Sequence, residues 1–340
     1  MRERICTTLR SRLSDRLVIA TIFFCVLPVA FSSSAHSQVV NSAQNARQIA
    51  LLHWYQANQT AIFAIGGQAH GLAFDGANIW ATWDAPDRFG DDEAFVAKIR
   101  TSDGATLGTF NGGSGQPFPV PTGLAFDGVS IWVAHPGNCD LTKQRASDGA
   151  ILGDFGLTIC PQSLAFDGTN IWATDGTNLV AEVGTDGVTL QTITVAGGPG
   201  ALAFDGSNMW VANYHGNTVT KLASNGAILG TFTVGNSPAA LAFDGANIWV
   251  ADFGSHYVTK LASNGAILGT FSVGDSPAAL AFDGANIWVA NFGSNTVTKL
   301  LASNGTTLGT FAVGSAPNNL VFDGAHIWVS NAGDNSVSKL

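Results

Sequence analysis

The sequence predicts an all-β protein, a seven-bladed β-propeller whose N-terminal strand closes the last blade. Three observations carry that prediction. A nine-residue phrase, L-A-F-D-G-A-N-I-W from Leu72 to Trp80, returns in variant form at Leu124, Leu164, Leu202, Leu241, Leu280 and Leu320. Its aspartates (Asp75, Asp127, Asp167, Asp205, Asp244, Asp283, Asp323) are spaced by 52, 40, 38, 39, 39 and 40 residues, and a period near forty marks a repeat of four short strands. The last copy stops one strand short at Leu340, and a strand resembling the missing one precedes the first copy.

The elements follow in chain order. Residues 1–37 read as a signal peptide: Arg2, Arg4, Arg10, Arg12 and Arg16 precede the apolar stretch Leu17–Phe31, and Ala35-His36-Ser37 fits a cleavage site. Fifteen apolar residues interrupted by Pro28 are short for a membrane span, which takes about 20. Residues 38–59 form a lead-in in which Ala43–Leu52 can make a short helix. Residues 60–340 are the propeller.

Within one unit, A-L-A-F is strand one and Asp283-Gly284 turns the chain into N-I-W-V-A-N, strand two. A loop then leads to T-V-T-K-L, strand three, and Asn304-Gly305 turns into T-L-G-T-F-A-V, strand four. Asp-Gly and Asn-Gly suit these hairpins because both residues tolerate positive φ. A helical repeat is excluded by the period-two alternation and the breaks at Gly every eight to twelve residues. Thr60–Gly66 matches the fourth-strand phrase, so it fills the last blade and leaves no open sheet edge.

The phrases I-W-V-A-N-F-G-S-N-T-V-T-K-L and G-T-F-A-V-G-S-A-P resemble the YVTN-type propeller repeat of bacterial surface and periplasmic proteins, over roughly residues 60–340. That resemblance implies a binding or interaction scaffold. More distantly the chain looks like the virginiamycin B (streptogramin) lyase propellers, whose repeats run W-F-T-E and whose chemistry uses Glu and His with Mg²⁺. Here W-V-A-N and W-V-A-D stand in that place, without the Glu.

Charge excludes one partner class. Without residues 1–37 the chain carries −12 and has no basic cluster, which argues against binding nucleic acid. No later segment reads as transmembrane. The same chain keeps two cysteines, Cys139 and Cys160, both expected on the loop face of the second unit; a disulfide fits an oxidising compartment, periplasmic, cell-surface or secreted. A closed ring requires no partner subunit.

Departures from the repeat mark the candidate binding residues, because loops carry function on a rigid scaffold. The first two-to-three loop is eight residues longer than in later units and holds Trp83, Asp84, Asp87, Arg88, Asp91, Asp92 and Glu93. Such a run can hold Ca²⁺ or simply be solvated. The following four-to-one loop is five residues longer. Three residues past each repeat Trp comes a polar ring expected at the channel mouth: Trp83, His135, Asp175, Asn213, Asp252, Asn291 and Asn331. Alternatively its Asn and Asp members cap turns. Tyr214, Phe253 and Phe292 occupy equivalent loop positions and can form an aromatic patch for a protein, a glycan or a small molecule, with His215 and His256 nearby. The seven repeat tryptophans are expected in the core.

Three functions are open. One is a scaffold with no catalysis and no cofactor; another is a lyase or hydrolase using His215, His256, Asp252 and a divalent metal such as Ca²⁺ or Mg²⁺; the third is a purely structural surface protein. No G-x-S-x-G, H-E-x-x-H or phosphate loop is present.

Overall fold

The computed structural model describes residues 60–86, 92–113 and 120–340. Residues 1–59, where a signal peptide and a lead-in are expected, lie outside the described residues, as do Asp87, Arg88 and Asp91 and the side chains of Asp92 and Glu93. Seven four-stranded antiparallel sheets form the blades, at residues 68–111, 124–156, 163–194, 199–233, 238–272, 277–312 and 317–339. The innermost strands meet in a closed ring, with the first beside the seventh. As the sequence predicts, Ala61–Ala64 supplies the outer strand of blade 7, in the register Ala61↔Lys339 to Ala64↔Ser336.

One side-chain constellation recurs in each blade and explains the repeated phrase. After the first strand, Asp244 Oδ1 accepts the amides of Ala246 at 2.9 Å and Asn247 at 2.7 Å, fixing the turn. Its other oxygen accepts Trp249 Nε1 at 2.8 Å. All seven repeat tryptophans make this bond to their Asp, at 2.7–2.8 Å. A buried indole thereby keeps its one polar atom satisfied. Phe from the fourth strand covers the ring of Trp80, Trp132, Trp210, Trp249, Trp288 and Trp328, at centroid distances of 5.3–5.8 Å. A third-strand Lys lies over the same six rings at 4.5–5.3 Å.

These lysines also join blade to blade. Lys98, Lys143, Lys221, Lys260 and Lys339 donate to a carbonyl in the third hairpin of the next blade, as Lys260 does to Ala302 at 2.7 Å. The same hairpins require glycine. Gly265 has φ +83°, and a Cβ there would stand 2.0 Å from the Phe232 ring of the preceding blade.

Candidate loop-face site

The face carrying the two-to-three and four-to-one loops is where the blades differ. In blade 1 the extra residues lengthen the second and third strands to Asn78–Pro86 and Asp92–Arg100, nine residues each, against four to six elsewhere. The pairs Asp84↔Ala94, Ala85↔Glu93 and Pro86↔Asp92 continue the ladder past the rest of the face.

Two positions per blade meet at the mouth of the ring. The first follows a buried residue at or just before the start of each innermost strand (Ala69, Pro121, Pro161, Pro199, Pro238, Pro277, Pro317): His70, Thr122, Gln162, Gly200, Ala239, Ala278 and Asn318, none of them buried. The second is four past each repeat Trp: Asp84, Pro136, Gly176, Tyr214, Phe253, Phe292 and Ala332. The first is polar in blades 7, 1, 2 and 3, and the second is aromatic in blades 4, 5 and 6, so the mouth has two unlike arcs.

Blades 7, 1, 2 and 3 carry polar groups. His70 Nε2 pairs with Asp84 Oδ1, both side chains being less than a fifth exposed. Asn318 Nδ2 donates to the Ala69 carbonyl at 3.0 Å, and the Ser330 hydroxyl donates to Asn318 Oδ1 at 2.6 Å. Thr122 Oγ1 donates to the Gln162 carbonyl at 2.7 Å. Asn318 and Thr122 thereby tie neighbouring blades together, while His70–Asp84 and Ser330–Asn318 lie within one blade.

Blades 4, 5 and 6 are apolar at both positions. Tyr214 and Phe253 lie with ring centroids 6.4 Å apart, and Phe253 and Phe292 6.3 Å apart, tilted by 51° and 50°. Phe292 is 39% exposed, and Tyr214 and Phe253 are half-buried. The three residues expected to form a patch are therefore in contact. His215 stands edge-on to Tyr214 at 5.2 Å and is exposed.

The polar ring takes a different place from the one the sequence suggested. Its seven members are 0–8% exposed rather than open at the mouth. Trp83 stacks on Phe95 at 4.3 Å and fills the space over Gly66, where a Cβ would stand 2.1 Å from the indole. Asn213 Nδ2 donates to the hydroxyls of Thr218 and Thr220, Asn291 to those of Thr296 and Thr298, and Asn331 to those of Ser336 and Ser338. Only Asp175 caps its own turn, accepting the amides of Thr177, Asn178 and Leu179. Burial pushes the His135 imidazole down to about 4, so it is neutral at neutral pH. Burial pushes the Asp252 carboxyl up to about 6, against the bond from Thr259.

His256 and the cysteines share one structural role. Asn217, His256, Asn295 and Cys139 close their two-to-three loops with φ of 53–57°, a region Asn enters readily. Asn217 Oδ1 accepts the amide of Ser237 at 2.8 Å, and Asn295 Oδ1 that of Ala316 at 2.9 Å, each bracing the loop that leads to the next blade. His256 Nδ1 accepts the Ser276 amide at 3.0 Å in the same position. In blade 2 that brace is covalent, because Cys139 and Cys160 form a disulfide.

His70 was not singled out from the sequence. Its signal was the departure of A-H-G-L (69–72) from the P-A-A-L of blades 5 and 6. Asp140, beside the buried His135, was also missed; burial and then the charge of Asp154 push it up to about 6. Among the described residues no three His, Cys, Asp or Glu side chains gather as a metal requires. No helix among them is long and apolar enough to cross a membrane.

No protein-family model matches the chain. No curated protein matches it either. Solved structures resemble it in fold. A catalytically inactive virginiamycin B lyase from Staphylococcus aureus with quinupristin has a TM-score of 0.69 at 17% identity, covering 83% of this chain and 99% of that one. Kuenenia stuttgartiensis hydrazine synthase has a TM-score of 0.66 at 14% identity, covering 80% and 95%. At these identities the likeness concerns architecture: the chain is a seven-bladed β-propeller, the fold it shares with virginiamycin B lyase.

Proposed function

We propose that this chain is an exported binding scaffold that holds a ligand at the loop face, against Tyr214, Phe253 and Phe292. One observation carries the reading. Three consecutive blades place touching aromatic rings, partly open to solvent, where the other four have Asp, Pro, Gly and Ala. Rings that served only the core would be buried like the repeat tryptophans. Contiguous apolar surface rimmed by polar groups suits a ligand with one apolar and one hydrogen-bonding side, such as a glycan or an amphiphilic small molecule. The disulfide fits an oxidising compartment outside the cytoplasm.

The test is a thermal-shift screen of residues 38–340 against chito- and cello-oligosaccharides and quinupristin, with and without chelator. A ligand at 100 times its Kd stabilises the native state by about 2.7 kcal/mol. Hits should shift the wild type and not a Tyr214→Ala/Phe253→Ala/Phe292→Ala variant. Equal shifts in both would refute the assignment.

The enzyme reading is favoured by a different pair. His70 and Asp84 are joined at the mouth, on the blade across the ring from the aromatic arc. A His held by a carboxylate is suited to take a proton from a bound ligand. The residues first considered for a metal-dependent lyase do not fit a shared metal. Asp252 is wholly buried, and His256 Nδ1 already accepts an amide hydrogen bond. Chromatographic conversion of quinupristin that disappears in His70→Ala would establish the enzyme reading. No conversion by the wild type would leave the scaffold.

A further inference from the structure

Blade 3 lacks the ammonium that six blades carry, and it keeps the partners that hold one. Opposite Trp172 on the third strand stands Glu182, in the register occupied elsewhere by Lys98, Lys143, Lys221, Lys260, Lys299 and Lys339. In five of those blades the ammonium lies 3.5–3.9 Å from the carboxylate of the repeat Asp. It also lies over the Trp ring and, in most blades, bonds a carbonyl in the next blade's hairpin.

Blade 3 retains the Asp and the ring but supplies no cation. Asp167 accepts only uncharged donors: the amides of Thr169 and Asn170 and Trp172 Nε1. The Asn170 side chain, whose equivalents in blades 1, 4, 5 and 6 bond the repeat Asp, turns instead to Glu182 at 2.7 Å.

Two further changes accompany Glu182. Gln191 replaces the glycine that faces Lys in five blades, and Ile193 replaces the Phe two residues on. These changes belong together. At Gly230 a Cβ would stand 2.6 Å from the Phe232 ring, so a side chain at that place requires a smaller neighbour. Beside this altered blade a cleft of about 180 Å³ opens at the seam with blade 4, lined by Asp167, Trp172, Phe204, Met209 and Ser224.

We propose that this cleft binds the ammonium head of a primary alkylamine, which gives Asp167 the cation that lysine gives its equivalents, beside the Glu182 and Gln191 side chains that fill the lysine's own place. The Asp167 carboxylate and the indole face of Trp172 attract the charge, as they attract lysine in the other blades. Phe204 and Met209 line the cleft for the alkyl chain, and the Ser224 carbonyl, the hairpin acceptor of blade 4, already accepts Gln191 Nε2 at 3.4 Å, so the ammonium shares it. The site lies on another part of the molecule from the aromatic arc and does not rest on the function proposed above.

The probe is n-butylammonium chloride at low ionic strength, with n-butanol as the uncharged control, followed by calorimetry and thermal unfolding. A Gly-Lys-Gly peptide in a second arm distinguishes a free amine from a lysine side chain. The wild type should bind butylammonium saturably, lose at least tenfold in affinity on raising salt, and ignore butanol. The variant Glu182→Lys/Gln191→Gly/Ile193→Phe rebuilds the pattern of the other blades, so its folding is supported by the repeat itself. It should unfold at higher temperature and bind butylammonium at least tenfold more weakly. Asp167→Asn, a milder change, should weaken binding similarly. Absence of butylammonium binding by the wild type, or equal binding by the rebuilt variant, would overturn the proposal.

Discussion

Replacing Asp252 by Asn should stabilise the protein, and only above about pH 4. Asp252 is wholly buried; one oxygen accepts the Thr259 hydroxyl at 2.6 Å and the other has no partner. Blades 4, 6 and 7 have Asn there, donating to two hydroxyls each. Burial raises the carboxyl from 3.8 to about 6, outweighing the opposing pull of Thr259 and the nearby Gly235 amide. The sign follows from that direction. Below pH 3.8 the group is protonated folded and unfolded and costs nothing. Between 3.8 and about 6 the unfolded chain ionises first, so folding becomes progressively less favourable, and above 6 the cost is complete. At roughly 1.4 kcal/mol per pH unit, a displacement of about two units is worth about 3 kcal/mol. The amide of the Asp252→Asn variant carries no such charge and can donate to the Thr259 hydroxyl. At pH 7.5 the variant should therefore gain about 2–3 kcal/mol, or roughly 3–5 °C in Tm for a domain of this size. At pH 3.5 the gain should vanish. Thermal unfolding of both proteins by circular dichroism at the two pH values measures it. A lower Tm at pH 7.5, or a gain independent of pH, would refute the reasoning.

Other outcomes follow from the same contacts. Asp244→Ala removes the acceptor of the Trp249 indole and the partner of nearly buried Lys260, and should cost about 3–5 kcal/mol. Trp249→Phe, which leaves the Asp–Lys pair in place, should cost less; the reverse order in urea unfolding would contradict the constellation. Six repeat aspartates (Asp75, Asp127, Asp205, Asp244, Asp283, Asp323) are raised by burial, but hydrogen bonds from the indole or Asn side chain and backbone amides prevail and hold them below the ordinary value. Their stabilisation is complete above about pH 4 and lost as pH falls through the lowered values, so wild-type Tm should drop steeply in strong acid. Removing the Cys139–Cys160 bond, which spans 21 residues, should cost about 3 kcal/mol by chain entropy. The pair Cys139→Asn/Cys160→Ser should recover part of that relative to Cys139→Ser/Cys160→Ser, because Asn restores the brace of blades 4 and 6. Equal guanidinium midpoints would deny the equivalence.

The architecture was legible because L-A-F-D-G-A-N-I-W repeats with the period of one blade and Thr60–Gly66 matches the missing strand. The aromatic arc was legible for a related reason, since Tyr214, Phe253 and Phe292 hold one place in aligned units. Burial of the polar ring was not. Strand alternation places a residue three past each Trp on the opposite face, but both faces of a blade are covered by neighbouring blades. Alternation alone therefore gave no way to tell the channel mouth from a seam. The Lys–Trp contacts were hidden for another reason: T-V-T-K-L reads as a strand, and only the register places Lys260 opposite Trp249. His70 needed the same information, because its partner Asp84 lies fourteen residues away across a hairpin.

Phe253 is the middle ring of the ligand surface proposed over blades 4 to 6. Calorimetric titration of each ligand found in the thermal-shift screen should be run on wild type and Phe253→Ala. Affinity should fall at least tenfold in the variant, about 1.4 kcal/mol, with the unfolding midpoint nearly unchanged. Ligands that bind Phe253→Ala as tightly as wild type would contradict it.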